Sequence, residues 1–237
     1  MKILLAYFTR SGHTGEMADL IAEELRSRGH VIDIDEIKVT KKRNRFYMLM
    51  TVIPRAPAVF LALILKPFRN WHYNWYKQKE SDIQPPAYPD VSAYDRICIG
   101  GPKWAYISYP IARYLKQVKG LKGKNVGKFA SLCGPPLRIF ELELLFKPME
   151  MKLEEVGAKL ASTLVLSSNF HELFVHVVFR TISKLRYGCP LSAWTYNSPY
   201  GKASIRLFCD KLESNDDPEK ASAQADEKYA INSGVSQ

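Results

Sequence analysis

No stretch of eighteen consecutive apolar residues occurs in these 237 residues, so a conventional membrane-spanning helix is not expected. The early apolar run, Ile3 to Phe8, ends in a polar loop and is too short to read as a secretory leader. Cysteine is sparse: Cys98, Cys133, Cys189 and Cys209 stand far apart with no C-x-x-C pair. That spacing offers neither a zinc site nor an iron–sulfur cluster and fits a reduced, cytoplasmic chain. Neither G-x-x-x-x-G-K-[ST] nor G-x-G-x-x-G is present, so a nucleoside triphosphate loop and a dinucleotide fingerprint both fail. His171 and His176, five apart, do not form a metal pair.

The basic excess is concentrated in one place. The net charge is +10, and residues 41–80 hold nine basic side chains against one acidic, a local +8, while residues 1–40 and 201–237 are each −2. The basic excess therefore describes a segment rather than the whole chain, and points that segment at an anionic partner.

An apolar fraction of 46% supports a real core. Ile3 to Phe8 is a continuous apolar run, the pattern of a central parallel strand covered on both faces. Met17, Leu20, Ile21 and Leu25 follow at helical spacing, with Glu16 and Asp19 early, Arg26 and Arg28 late and Gly29 as a stop. Val31 to Ile37 alternates like a half-exposed edge strand. Further strands are expected at Arg96 to Gly100, Val126 to Leu132 and Leu160 to Leu166. Helices are expected from Pro110 to Val118, from Leu137 to Val156 with a break at Pro148, across Phe170 to Leu185 and across Ile205 to Leu212. Strand and helix alternate through five strands, which predicts an α/β doubly wound parallel sheet in one domain, 1–213, followed by a polar, disordered tail, 214–237.

In such a sheet, ligands bind beyond the C-terminal ends of the strands at the switch point. The first loop there is Thr9-Arg10-Ser11-Gly12-His13-Thr14-Gly15, which joins a buried strand to a helix N-terminus. Hydroxyls, a glycine that lets amides converge and the positive end of a helix dipole are phosphate-binding parts. The loop resembles the T-x-[ST]-G-x-T phosphate loop of the flavodoxin-like flavoproteins, matching it at Thr9, Ser11, Gly12 and Thr14. The resemblance covers about residues 1–37 and 94–167 and implies strand order 2-1-3-4-5. It further implies flavin mononucleotide (FMN), with the hydroxyls of Thr9, Ser11 and Thr14 and the amides of Arg10 to Gly15 on its phosphate.

Two more loops enter through the same resemblance. Pro102, Lys103, Trp104, Ala105 and Tyr106, after two glycines, look like the second flavin loop, where Trp104 or Tyr106 would stack on the ring. Cys133 and Gly134 begin the third. That loop lacks the tyrosine and acidic residues that electron-transfer flavodoxins often carry, while Arg10 and Lys103 would stabilise a negatively charged reduced ring.

The connection between strands two and three, about residues 38–95, is far longer than such a fold needs. Lys41, Lys42, Arg43 and Arg45 precede an apolar run from Ala56 to Leu65, and Lys66, Arg69, Lys77 and Lys79 then interleave with Trp71, Tyr73, Trp75 and Tyr76. As a helix, ten apolar residues reach about 15 Å, half of a hydrocarbon core of roughly 30 Å. Three readings stay open: an interfacial anchor or partner-docking surface through residues 41–79, a helix that merely covers the sheet, and, least favoured, a nucleic-acid surface.

The expected function is a cytoplasmic, membrane-peripheral FMN-dependent oxidoreductase or electron carrier. NAD(P)H or a redox partner protein would be its donor, and a quinone or protein its acceptor. Two alternatives come from other classes. Ser11 to Met17 also resembles the glycine–histidine segment of the membrane-bound subunit of the dolichol-linked N-acetylglucosaminyltransferase, although that segment usually has two glycines before the histidine. The other is a flavin-free interaction module on the same fold.

Overall fold

Ile3, Leu4, Leu5 and Ala6 are all completely buried, which a strand achieves only when helices cover both faces of its sheet. The computed structural model describes residues 1–40, 56–76, 80–102, 109–132, 134–135, 147–168 and 173–214. Its strands are β1 (Lys2–Tyr7), β2 (Val31–Glu36), β3 (Arg96–Pro102), β4 (Asn125–Leu132) and β5 (Lys159–Ser167). All neighbours pair in parallel in the order β2-β1-β3-β4-β5. Leu4 stands opposite Asp33 on one side and Ile97 on the other. This is the flavodoxin-like doubly wound order, with its switch point between β1 and β3.

The described helices are α1 (His13–Ser27), α2 (Ala56–Ile64), α3 (Lys66–Tyr76), α4 (Tyr109–Gln117), α5 (Lys147–Glu155), α6 (Leu173–Tyr187) and α7 (Pro199–Glu213). Because side chains alternate along a strand, Ile3 and Leu5 meet Met17, Ile21 and Leu25 of α1 and Phe208 and Leu212 of α7. Leu4 and Ala6 meet Ile111, Tyr114 and Leu115 of α4 and Met149 and Leu153 of α5. Gly100 of β3 is set by packing, since a Cβ there would lie 2.1 Å from the Phe129 ring. Arg28 closes the α1–α7 side. Its guanidinium donates to Glu24 at 2.7 Å, Asp210 at 2.7 Å and Glu213 at 3.1 Å. Helix α7 starts earlier than apolar spacing alone predicts, because Ser198 accepts from the Gly201 amide at 3.0 Å and Pro199 sits in the first turn.

Strand β2 departs from the expectation of a half-exposed edge. Ile32 and Ile34 face the α1 side as expected, but the opposite, aspartate-bearing face is covered too. Asp35 is 4% exposed and accepts from the Tyr114 hydroxyl at 3.3 Å, and Asp33 accepts from Tyr94 at 2.7 Å. Tyrosine hydroxyls satisfy carboxylates that water would otherwise have to reach. The covering residues, Ile83, Tyr88, Val91 and Tyr94, belong to the return leg of the long connection.

That connection leaves and returns on a two-stranded stalk. Val39 bridges Ile83 in antiparallel fashion, the Thr40 amide donates to Asp82 O at 3.1 Å, and the Gln84 amide donates to Lys38 O at 2.7 Å. Within the connection, α3 was not expected as a helix. The path of α2 continues into it through Leu65 N–H to Leu61 O and Arg69 N–H to Leu65 O, both 2.9 Å, with Pro67 in the first turn. Neither sheet-facing core cluster contains a residue of 56–76. Within 56–76 the described side chains divide: Ala62 and His72 are buried, while Leu61, Ile64, Leu65 and Trp71 are exposed.

Lys41 to Arg55, Lys77 and Lys79, the helix expected over Leu137 to Phe146, His171 and the tail beyond Ser214 lie outside the described residues.

Candidate functional site

Strand β1 delivers the chain at Tyr7 into the loop Thr9–Gly15, and two backbone bonds fix its root. The Phe8 amide donates to Gly100 O at 3.0 Å and the Ile37 amide to Tyr7 O at 2.7 Å. Gly12 is the N-cap of α1 with φ +91°, a conformation that side chains resist, and a Cβ there would touch nothing within 4 Å. The glycine is needed for backbone geometry, and the space it leaves is open. The first helical bond is Glu16 N–H to Gly12 O at 3.0 Å, so the amides of His13, Thr14 and Gly15 precede the α1 ladder. No side chain caps this end.

The loop hydroxyls divide by task. Thr9 Oγ1 accepts from the Gly12 amide at 3.1 Å and so holds the turn. Thr14 is 1% exposed, and its hydroxyl shares a 2.7 Å hydrogen bond with Ser131 of β4. Thr14, expected to offer its hydroxyl to a phosphate, here ties the helix start to the sheet through this bond. Ser11 and Arg10 remain exposed. An exposed hydroxyl, an exposed guanidinium, an uncapped helix start and open space at Gly12 suit a phosphate monoester.

Ser131 also links the loops. It pairs with Pro102 in the β3–β4 register while its hydroxyl meets Thr14, so the ends of β1, β3 and β4 converge at one point. Gly100 and Gly101 are buried and Pro102 is half-buried at the root of the second loop. Lys103, Trp104, Ala105 and Tyr106, and Cys133 in the third loop, lie outside the described residues. Gly134 is buried: its carbonyl accepts from the Ser167 hydroxyl, and a Cβ would lie 2.9 Å from the Phe179 ring of α6. It is packed beneath α6 rather than standing open as a ligand wall on that side.

One cluster was not read from the sequence. The Tyr196 hydroxyl donates to Glu16 and lies 3.3 Å from His13 Nδ1, with Glu16 itself 3.9 Å from that nitrogen. Burial first, and then the Glu16 carboxylate, push the Tyr196 phenol well above its ordinary range, so it stays a donor. This cluster fixes the His13 side chain at the first turn of α1. Tyr196 lies 180 residues from Glu16 and had no local signal.

A cleft of about 430 Å³ opens on the far side of β1, between β2 and residues 83–87. Asp35, Glu36 and Lys38 line it. Among the described residues no group of three or more His, Cys, Asp or Glu could hold a metal ion.

No family model and no curated protein matches the chain. Several solved structures are similar. A flavoprotein from Lactobacillus acidophilus NCFM in complex with FMN has 20% identity and a TM-score of 0.49, over 69% of this chain and 92% of that one. Flavodoxin 2 from Bacillus cereus has 18% and 0.47, over 90% and 97%. A Streptococcus pneumonia TIGR4 flavodoxin has 14% and 0.44, over 90% and 97%. The fold is flavodoxin-like. The parallel strand order and the helices on both faces, rather than these distant likenesses, carry that statement.

Proposed function

We propose that this chain is an FMN-binding redox protein. The observation that carries the reading is the Thr9–Gly15 loop, with Gly12 at positive φ leading into an uncapped helix directly off a central strand. FMN, when bound, supplies electron and hydride transfer. The protein's part is to hold and tune it. The amides of His13, Thr14 and Gly15, the Ser11 hydroxyl and the Arg10 guanidinium would hold the phosphate, and Thr9 and Thr14 would keep the loop in shape. His13, held by Tyr196 and Glu16, would stand beside it. Pro102, Lys103, Trp104, Ala105 and Tyr106 would meet the ring, with Cys133 and Gly134 at the end of β4. Arg10 and Lys103 would favour negative charge on it.

Purified protein is expected to be yellow and to release FMN on denaturation, and Gly12→Val or Ser11→Glu is expected to abolish retention without loss of helical circular dichroism. A colourless protein that takes up no added FMN, with its fold intact, contradicts the reading. Anaerobic mixing then separates the donors. Bleaching by NADH or NADPH alone supports a nicotinamide-linked oxidoreductase with a quinone acceptor, whereas bleaching only by a reduced protein supports an electron carrier.

A further inference from the structure

Two helical elements carry apolar side chains outward. In the insert, Leu61 is 41% exposed, Ile64 64%, Leu65 47% and Trp71 63%. On α6, Val177 is 58% exposed and Leu185 82%. Single exposed apolar residues are ordinary, but groups of them on short helices mark contact surfaces. Neither element contains an acidic residue: 56–76 carries Lys66 and Arg69, and 173–187 carries Arg180, Lys184 and Arg186.

Both elements leave the body at the same edge. The stalk follows the C-terminal end of β2, and its return leg is braced on the start of α4. Ser81 N–H donates to Tyr109 O at 3.4 Å, Arg113 Nε lies 3.1 Å from Glu80, and Lys116 pairs with Glu80. Helix α6 follows the C-terminal end of β5 and sets Phe179 on Gly134, just past the end of β4. These two elements therefore flank the sheet edge that carries the Thr9–Gly15 loop.

We infer that this edge docks on an anionic lipid bilayer, with α2 and α3 entering the interface and α6 as a second contact. Charge selects this occupant: the segment 41–80 holds +8 of the net +10, which an anionic surface attracts and a second copy of this chain repels. Composition agrees. All nine residues of α2 are apolar, and although Ala62 is buried, Leu61 and Ile64 of the same helix stand exposed to water. Trp71, 63% exposed on α3, gives an amphipathic ring of the kind that settles at headgroup depth. Depth is limited, because nine residues reach about 14 Å, and no described helix is long and apolar enough to cross a membrane. The docking is therefore interfacial.

The test is sedimentation with vesicles of phosphatidylcholine alone or mixed with phosphatidylglycerol, read as bound protein and independent of flavin content. The full chain is expected to bind only the anionic vesicles and to be released by salt. The combined variant Leu61→Ser, Ile64→Ser, Leu65→Ser and Trp71→Ser, all at exposed positions, is expected to lose about tenfold in binding, with unchanged circular dichroism. Val177→Ser with Leu185→Ser should lose less. No binding to anionic vesicles at low salt, or full binding by the combined variant, overturns the inference. So does a dimer in velocity sedimentation that the combined variant dissolves while vesicles stay unbound, since the surface would then serve a second copy.

Discussion

Helices α1 and α2 both carry runs of apolar residues but meet different fates in the structure. On α1, Met17, Ala18, Ile21 and Leu25 are wholly buried, whereas Leu61 and Ile64 of the more apolar α2 stand open. What separates them is attachment. Helix α1 is joined tightly to β1 and β2, so its apolar stripe must fall on the sheet. Helix α2 lies beyond the stalk at Val39 and Ile83, and residues of the return leg cover β2. Hydrophobicity alone therefore does not assign a residue to the core. Helices α1, α4 and α7 of the body follow the rule that apolar periodicity means burial, whereas α2 and α6 break it in part.

Substitutions in the body and in the insert should accordingly differ in kind. The largest effect is expected at Gly100→Val, which drives a branched side chain into Phe129. A loss of about 3 kcal/mol or more in urea unfolding is anticipated, with Trp71→Ser moving the same curve by less than about 0.5 kcal/mol. A Gly100→Val protein of ordinary stability would contradict the packing described for β3 and β4.

Arg28→Ala comes next, since it strands the partly buried Glu24 and Glu213 between α1 and α7. About 1–3 kcal/mol is expected, read as a fall in Tm. Thr14→Val should cost about 1–2 kcal/mol by leaving the buried Ser131 hydroxyl unpaired, and adding Ser131→Ala should restore most of it. If instead Thr14→Val leaves stability alone and removes FMN as completely as Gly12→Val does, the hydroxyl serves the ligand after all.

The smallest effect concerns acid. The Tyr94 hydrogen bond, followed by Lys2, holds the Asp33 carboxyl below its ordinary value. A depressed folded pKa stabilises above the unfolded value, near pH 4, and that contribution is lost as pH falls through the folded pKa. Tyr94→Phe should therefore lower stability at pH 6 and lose that offset as pH falls through the folded Asp33 pKa. Equal offsets above and below that pKa would show that the hydroxyl acts through something other than Asp33.

Much of the body was legible because each signal was local. The unbroken run from Ile3 to Ala6 announces a doubly covered strand, and Thr9, Ser11, Gly12 and Thr14 announce an anion loop in a stretch of six residues. What escaped depends on distant partners. Nothing near Glu16 foretells Tyr196, nothing near Thr14 foretells Ser131, and the alternation in β2 could not reveal that Tyr94 and Tyr114 would cover its aspartates. Helix α3 was masked by its own aromatic and basic composition, which reads as a flank rather than as an amphipathic helix.

The most direct test of this two-part molecule is excision of residues 41–81, joining Thr40 to Asp82 through a short Asn-Gly turn, since the Thr40 amide already donates to Asp82 O across 3.1 Å. The account predicts a folded protein of nearly parental Tm that still retains FMN and has lost most of its binding to anionic vesicles. An excised protein that unfolds, or that sheds FMN while vesicle binding persists, would contradict it.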